Sequence, residues 1–304
     1  MKPMGGTEIL FENLKLVMGS EWNPDVNLML SSCRHEYIQE GKVNVLWQQL
    51  SYDQDNVQLM RDKSFVDRVD YFVYGSNWQF EKFRYFFNIP ENKSRVIKNA
   101  IRRIEFVPKE KTEKIKLIYT STPWRGLEII LDAFEKLDRD DVELDVYSST
   151  IIYGKGYQQM TQGMYDELFA RAKRMKNVNY MGYATNEGVR KAVQKAHIYT
   201  YPSIFEETSC LSALEAGAAG CDLLVTNFGA LYETCSEWAT YVSYTSDKKT
   251  LVDRYTRELN RRIDNYRHDD PIHERQSMFF NNFWSWQNRI PQWRDLLSEI
   301  SNRK

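Results

Sequence analysis

Short apolar segments alternate with amphipathic segments of helix length along the chain, and this alternation constrains the fold more than any other feature of the sequence. In the second half, the predicted strands are residues 116–119, 143–147, 178–181, 198–201 and 223–226. The predicted helices among them are residues 127–137, 161–175, 186–195 and 209–219. Strands that alternate with helices of this length indicate right-handed βαβ units and a parallel sheet.

The first half has the same alternation over shorter segments. Its predicted strands are residues 26–30, 43–47, 71–74 and 96–97, and its predicted helices are residues 8–18 and 78–86. We therefore predict an α/β fold with two doubly wound, Rossmann-type domains. A ligand is expected at the carboxyl ends of the strands, in a cleft between the domains.

A charged segment divides the two halves. Residues 108–116 (PKEKTEKIK) are poor in large apolar side chains and are the predicted linker. We therefore predict a first domain over residues 1–107 and a second domain over residues 108–278. The remaining residues, about 279–304, are rich in aromatic side chains. We expect a helix there that crosses back and completes the first domain.

Charge and cysteine content exclude several classes of protein. The formal net charge is −1, so no global basic field attracts nucleic acid. The four cysteines form neither a CxxC pair nor a cluster with zinc-ligand spacing, which indicates free thiols in a reducing compartment. No apolar run approaches the roughly 20 residues that cross a bilayer, and the N-terminus lacks the apolar core of a signal peptide. We therefore expect a cytoplasmic protein with no transmembrane segment.

The segment Tyr201–Glu215 (YPSIFEETSCLSALE) joins the end of a predicted strand to the start of a predicted helix. Thr208 or Ser209 is the predicted N-cap of that helix. The unpaired amide groups of residues 208–210 and the positive end of the helix dipole would then face the ligand. Such a helix start is an anion site that suits a diphosphate.

The sequence from Tyr201 to Glu233 resembles the donor-binding segment of the family 4 (group 1) retaining glycosyltransferases, which have the GT-B fold. Glu207 and Glu215 have seven residues between them, as in that family, and the stretch AGAAG follows at 216–220. A strand and a glycine-containing turn then precede Glu233 in the family order. The resemblance is strongest over residues 175–235.

Other landmarks of the family follow in the same order along nearly the whole chain. They are Gly5-Gly6-Thr7-Glu8 for the glycine loop, VIKNAI at 96–101, Arg125-Gly126-Leu127, NVNYMG at 177–182, and AHI at 196–198. The resemblance implies a retaining, metal-independent transferase with no prosthetic group. It would move a hexose from a nucleoside-diphosphate sugar to a hydroxyl of a carbohydrate or other acceptor. A UDP-sugar is the favoured donor, and GDP-mannose is the other candidate.

Roles for individual residues follow from this resemblance. Arg125 is the candidate for the diphosphate, because a guanidinium binds phosphate oxygens with two hydrogen bonds. Glu215 would accept hydrogen bonds from the donor ribose. Glu207 would contact the transferred sugar and stabilise positive charge at its anomeric carbon, so Glu207 and Arg125 are the candidate catalytic residues. The candidate donor-binding residues are Gly5, Gly6, Asn99, Thr120, Ser121, Arg125, Thr208, Ser209, Cys210, Leu211 and Glu215.

The sequence departs from the family pattern at several positions. Thr120 stands where the family has an arginine, and His197 stands where it has a structural aspartate. The first-domain histidine near the acceptor has no equivalent, and Gln49 or Asp53 is the candidate in its place. The strand that normally precedes the glycine loop is absent, so we expect either a short form with a reduced first domain or a truncated sequence.

These departures leave two alternatives open. One is a sugar-nucleotide epimerase with the same fold, and the other is a non-catalytic module that binds a sugar nucleotide. The sequence does not predict the oligomeric state.

Overall fold

The structure is a computed structural model that describes residues 5–151 and 154–302. The chain divides into two compact units. The first unit contains Gly6–Arg102, Glu207–Ser209 and residues 283–302. The second unit contains Gly5, residues 103–151 and 154–206, and Cys210–Asn282. The domain boundaries inferred from the linker composition stay a prediction.

The first unit contains a sheet of four parallel strands. The strands are β1 (Val26–Leu30), β2 (Val43–Gln48), β3 (Tyr71–Tyr74) and β4 (Ser94–Val96), in the order β1-β2-β3-β4. The helices are α1 (Gly6–Met18), α2 (Lys63–Arg68) and α3 (Asn77–Phe87). Every residue of β3 is buried, which is typical of a parallel strand that packs on both faces.

The second unit contains a sheet of six parallel strands. They are β5 (Ile115–Thr120), β6 (Val142–Tyr147), β7 (Val178–Tyr180), β8 (Ile198–Tyr201), β9 (Asp222–Thr226) and β10 (Ala239–Val242). The order is β10-β9-β8-β5-β6-β7, so the chain changes direction across the sheet between β5 and β8. In open α/β sheets, ligands bind at the carboxyl ends of the strands at such a switch point.

Eight helices connect and follow the strands of the second unit in the described part of the chain. They are α4 (Leu127–Leu137), α5 (Gly154–Met160), α6 (Asp166–Arg174), α7 (Asn186–Lys195), α8 (Leu211–Ala218), α9 (Leu231–Cys235), α10 (Lys248–Asn265) and α11 (Ile272–Phe283). Two parallel sheets with alternating helices confirm the predicted α/β class.

The C-terminal helix α12 (Trp286–Asn302) belongs to the first unit. The ring of Trp293 packs edge-to-face on that of Trp47 of β2, with centroids 5.0 Å apart. Arg95 of β4 holds both carboxylate oxygens of Glu299, with Nη2–O distances of 2.6 and 2.7 Å. The helix therefore returns to the first unit, as predicted, through an aromatic contact and a forked ion pair.

The predicted helix over residues 161–175 is wrong in its first turn. Helix α6 begins at Asp166, and residues 161–165 form a turn after α5. Gly163 in that turn has φ +83°, a left-handed conformation that a right-handed helix does not contain. The periodicity of the apolar residues continues across this break, which explains the error.

Lys109, in the predicted linker, is buried. Its Nζ donates to the carbonyl oxygens of Gln194 at 3.0 Å, near the end of α7, and of Ala219 at 2.9 Å, just after α8. An ammonium is favourable at helix carboxyl ends because it complements the carbonyl dipoles. Burial lowers the pKa of Lys109. The charged segment therefore packs against two helices of the second unit.

The turn between β5 and α4 meets the turn that follows β8. Gly126, the N-cap of α4, has φ +128°. A Cβ atom at this position would lie 2.9 Å from the carbonyl carbon of Pro202 and closer still to its oxygen. The backbone of Ile204 also donates a hydrogen bond to the carbonyl oxygen of Arg125 at 3.3 Å. Only glycine allows this approach, so it fixes the carboxyl ends of β5 and β8 against each other.

His197 lies at the amino end of β8 and is fully buried. Its Nδ1 accepts a hydrogen bond from the backbone of Lys116 at 2.8 Å, so Nε2 carries the proton and donates to the carbonyl oxygen of Glu110 at 3.0 Å. Burial lowers the pKa of His197 to about 4. The histidine in the place of the family's structural aspartate therefore joins β8 to the segment before β5 as a neutral ring.

We predict that Gly126→Ala destabilises the fold by at least about 3 kcal/mol, because a left-handed φ and a backbone clash act together. Urea unfolding measures the loss. Gly156→Ala is the matched control, because a Cβ there meets no atom within 4 Å. That control should change stability by no more than about 1 kcal/mol. Equal effects of the two substitutions would contradict the close approach at Gly126.

We predict that the fold loses stability as the pH falls from about 6.5 to about 4. The unfolded chain binds the proton at a pKa near 6.5, whereas folded His197 does so at about 4, so protons favour the unfolded state in this window. The contribution is about 3 kcal/mol at most. Burial raises the pKa of Asp222, which acts in the opposite direction.

Asp222 is present in both the wild type and His197→Asn, so the difference between their unfolding free energies reports the contribution of the histidine. The variant should have a flatter dependence of unfolding free energy on pH between 4 and 6.5, measured by urea unfolding at several pH values. Parallel curves for the two proteins would show that His197 does not titrate as described.

Candidate functional site

Arg125 lies at the switch point of the second unit. It ends the single 3-10 turn Pro123–Arg125 that follows β5. Its guanidinium carbon lies 4.3 Å from the centre of the Phe205 ring, in the turn after β8. Arginine binds aromatic faces through its planar surface and keeps its N–H groups at the edges for hydrogen bonds. The ring therefore orients the side chain at the carboxyl ends of β5 and β8.

The turn after β8 is fixed by hydrogen bonds of its own residues. The hydroxyl of Ser203 donates a hydrogen bond to the backbone oxygen of Phe205 at 2.9 Å and accepts one from the backbone nitrogen of Phe205 at 3.2 Å. The hydroxyl of Thr226, at the end of β9, donates to the carbonyl oxygen of Ser203 at 2.7 Å. The turn that carries Phe205 is thus tied to β9.

Thr120 is the last residue of β5, and Ser121 follows it on the same edge of the sheet as Arg125. The hydroxyl of Thr120 is buried and has no hydrogen-bond partner in the described part of the chain. The hydroxyl of Ser121 lies 3.4 Å from the hydroxyl of Tyr201. Buried hydroxyl groups normally have a partner, so Thr120 retains hydrogen-bonding capacity at the place where the family has an arginine.

Helix α8 begins later than the sequence predicts. Its N-cap is Cys210, which makes no capping hydrogen bond with its side chain, and its first residue is Leu211. The predicted N-cap at Thr208 or Ser209 is therefore wrong. The amide groups of the first turn belong to residues 211–213. Among the predicted residues, Leu211 contributes one of these amides, and Cys210 directly precedes them.

Thr208 does not cap the helix because its polar groups have partners in the first unit. Its hydroxyl donates to the carbonyl oxygen of Gln49 at 3.0 Å, and its carbonyl oxygen accepts from the hydroxyl of Ser76 at 2.6 Å. Glu207 precedes it and is 4% exposed. The hydroxyl of Ser209 is buried and forms no hydrogen bond with the residues that the structure describes. The candidate catalytic Glu207 is thus in a segment anchored at the carboxyl ends of β2 and β3.

Asn99 belongs to the same edge of the first sheet. Its side-chain amide exchanges two hydrogen bonds with that of Gln49, at 2.9 and 3.2 Å. The amide also lies against Gly75, where a Cβ would be 3.1 Å away. Asn99, predicted to bind the donor, and Gln49, proposed near the acceptor, therefore form one pair. Asp53, the other candidate near the acceptor, is exposed.

The glycine pair lies at the start of the described chain. Gly6 is the first residue of α1, and Gly5 directly precedes it and is buried. Glycine at a helix start allows close approach of a ligand to the backbone amides, which is the role that the resemblance implies. The structure leaves that role a prediction.

Glu215 forms an ion pair that sequence reasoning missed. Arg190 of α7 donates from Nη1 to Oε1 of Glu215 at 2.7 Å, and from Nη2 to the carbonyl oxygen of Arg103 at 2.6 Å. The side chains are 15% and 25% exposed, respectively. Arg190 and Glu215 are 25 residues apart and on different helices, so no local pattern indicates the pair.

No group of three or more His, Cys, Asp or Glu side chains in residues 5–151 and 154–302 is arranged to hold a metal ion. In the same part of the chain, no helix combines the length and apolar character that crossing a bilayer requires. All four cysteines are buried free thiols.

Comparisons with known proteins agree with this architecture. An uncharacterized glycosyltransferase of Methanocaldococcus jannaschii is 29% identical over 164 residues, which cover 48% of this chain and 40% of that protein. The chain thus spans less than half the length of this curated relative. The pneumococcal O-GlcNAc transferase GtfA, solved with UDP and GlcNAc, is 13% identical with a TM-score of 0.68 over 94% of this chain and 59% of that chain.

A second solved structure is similar over more of its length. The Anabaena protein HepE, in complex with UDP and glucose, has a TM-score of 0.69 and 13% identity over 96% of this chain and 82% of that chain. At this level of identity the likeness concerns the fold, and it confirms the predicted GT-B-like architecture. The family model for glycosyl transferases group 1 matches residues 98–277, more than half of the chain. The chain therefore belongs to the group 1 glycosyltransferases.

Proposed function

We propose that this protein transfers a hexose from a nucleoside-diphosphate sugar to a hydroxyl of a carbohydrate or other acceptor, with retention of configuration and without a metal. The observation that carries the proposal is the arrangement of Arg125, the start of α8 and the Arg190–Glu215 pair in the second unit. A cation and a helix amino end at one edge of a parallel sheet, with a carboxylate one turn along that helix, match a diphosphate attached to a ribose.

The diphosphate would bind Arg125 and the amide groups of residues 211–213. As the bond between the sugar and the phosphate breaks, negative charge grows on the phosphate oxygen. The guanidinium and the positive end of the α8 dipole would face this charge and lower the barrier without reorganisation. The hydroxyls of Thr120 and Ser121 would replace the missing second arginine with neutral hydrogen bonds, which are weaker.

The remaining candidates would position the two ends of the sugar nucleotide. Glu215 accepts hydrogen bonds from the ribose, and Glu207 from the transferred sugar. Gly5 and Gly6 allow backbone contacts with the donor, and Asn99 contributes from its pair with Gln49. We also propose Thr208, Ser209, Cys210 and Leu211 as the backbone that lines the donor site.

The chemical step is a front-face substitution at the anomeric carbon. The acceptor oxygen forms a bond to this carbon while the bond to the phosphate oxygen breaks, and its electron pair goes to the leaving diphosphate. The acceptor proton goes to a phosphate oxygen on the same face, so the mechanism assigns no protein residue as base. Glu207 stabilises the positive charge that develops on the sugar ring.

A UDP-sugar is the proposed donor, supported by the two structural relatives solved with UDP. GDP-mannose is the second candidate. The buried free thiols support a reducing, cytoplasmic location. We also propose two domains. The first covers residues 1–107 and is completed by residues 279–304, and the second covers residues 108–278.

One alternative function has an observation in its favour. Thr120 in place of an arginine removes one phosphate-binding cation. A module that binds a sugar nucleotide without transferring it needs less stabilisation of the leaving phosphate. A binding module, an epimerase and a transferase would all bind the nucleotide, but their products differ. A transferase forms a glycoside, an epimerase forms an epimerised donor, and a binding module forms neither.

We expect UDP to raise the unfolding temperature of the wild type. Arg125→Ala and Glu215→Ala should each weaken UDP binding about 10- to 100-fold, because a hydrogen bond to a charged group contributes roughly 1.5–3 kcal/mol. Thermal unfolding at a series of UDP concentrations measures this effect.

Arg174→Ala and Glu167→Ala are matched controls, because these residues form an exposed ion pair on α6 of the same unit. Both controls should retain the full response to UDP. An unchanged response in Arg125→Ala and Glu215→Ala would overturn the donor site. Loss of a UDP-sugar with formation of a glycoside supports transfer, whereas an epimerised sugar nucleotide alone would contradict it.

A further inference from the structure

The guanidinium of Arg190 is held at two points within the second unit. Its Nη1 donates to the Glu215 carboxylate, and its Nη2 donates to the backbone oxygen of Arg103. A backbone oxygen, unlike a side-chain acceptor, does not move with a change of rotamer. A planar guanidinium fixed in this way has a single orientation. The contact with the Arg103 backbone therefore restricts where Arg190 holds Oε1 of Glu215.

Glu215 lies in the second half of the eight-residue helix α8. A negative charge near the carboxyl end of a helix is unfavourable, because the carbonyl dipoles there are also negative. Arg190 supplies the opposite charge at 2.7 Å. It also restricts the Glu215 side chain, which otherwise samples many rotamers.

Attachment of α7 to the preceding chain does not itself require Arg190. Gln194, one turn further along α7, donates to the carbonyl oxygen of Glu105 at 2.8 Å. Lys109 binds the carbonyl oxygens of Val193 and Gln194 at the end of the helix. Of these three side chains, Arg190 is the one that also binds the candidate ribose carboxylate.

We propose that Arg190 is a positioning residue that orients Glu215 to accept hydrogen bonds from the 2′- and 3′-hydroxyls of the donor ribose. The proposal rests on the proposed function, because it takes Glu215 as the ribose ligand. Each carboxylate oxygen has two lone pairs, so Glu215 binds Arg190 and a ribose hydroxyl at the same time. Binding is stronger when the acceptor is held in its bound position beforehand.

The test compares UDP with 2′,3′-dideoxy-UDP, which lacks both ribose hydroxyls. Calorimetry with the full chain gives the dissociation constant of each nucleotide for the wild type and for Arg190→Met. We expect Arg190→Met to weaken UDP about tenfold and the dideoxy nucleotide less than about twofold. Arg190→Lys, which retains the charge without the fork, should fall between wild type and Arg190→Met for UDP.

Gln194→Met is the matched control, because it removes an equivalent contact from the same helix without touching Glu215. It should leave both dissociation constants within about twofold of wild type. Equal losses for the two nucleotides in Arg190→Met, or equal losses in Arg190→Met and Gln194→Met, would overturn the proposal in favour of simple helix anchoring.

Different results would contradict the proposed function and the proposed role of Arg190. A wild type that binds neither UDP nor GDP would contradict the donor site as a whole. If the wild type, Arg190→Met and Arg190→Lys all bind UDP with the same dissociation constant, that result would contradict the role of Arg190 alone. If GDP binds more tightly than UDP, the same comparison uses GDP and 2′,3′-dideoxy-GDP.

Discussion

The close approach of Gly126 to the carbonyl group of Pro202 determines the geometry of the candidate donor site. This approach joins the turn after β5 to the turn after β8, the two strands on either side of the switch point. Arg125 precedes the glycine, and Phe205, which supports the guanidinium, follows the proline. A side chain at residue 126 would separate the two turns and with them the cation and its support.

Two charged side chains of the second unit, Arg125 and Glu215, have protein contacts that restrict their orientation without a ligand. Arg125 is held by an aromatic face and Glu215 by Arg190. A site whose dipoles and charges are already in position stabilises a developing charge without the energetic cost of reorganisation. Under the proposed function, the neutral hydroxyls of Thr120 and Ser121 would replace a cation, and neutral hydrogen bonds to a phosphate are weaker than charged ones.

Local sequence patterns predicted the parts of the fold that local interactions decide. Strands β1, β3 and β8 were predicted with their observed bounds, because short apolar runs bounded by polar residues define a buried parallel strand. The start of α8 was misplaced because the hydroxyl of Thr208 binds the carbonyl oxygen of Gln49, 159 residues away. The contacts of Lys109 and Arg190 were missed for the same reason, because their partners lie in distant segments of the chain and the charge of a residue does not identify its partner.

We propose that the nucleoside diphosphate binds at the carboxyl ends of β5 and β8. A crystal structure of the chain with UDP tests this most directly. We expect phosphate oxygens within hydrogen-bonding distance of Arg125 and of the amides of residues 211–213, and ribose hydroxyls on Glu215. A UDP molecule bound elsewhere, with Arg125 and Glu215 in their present contacts, would contradict it.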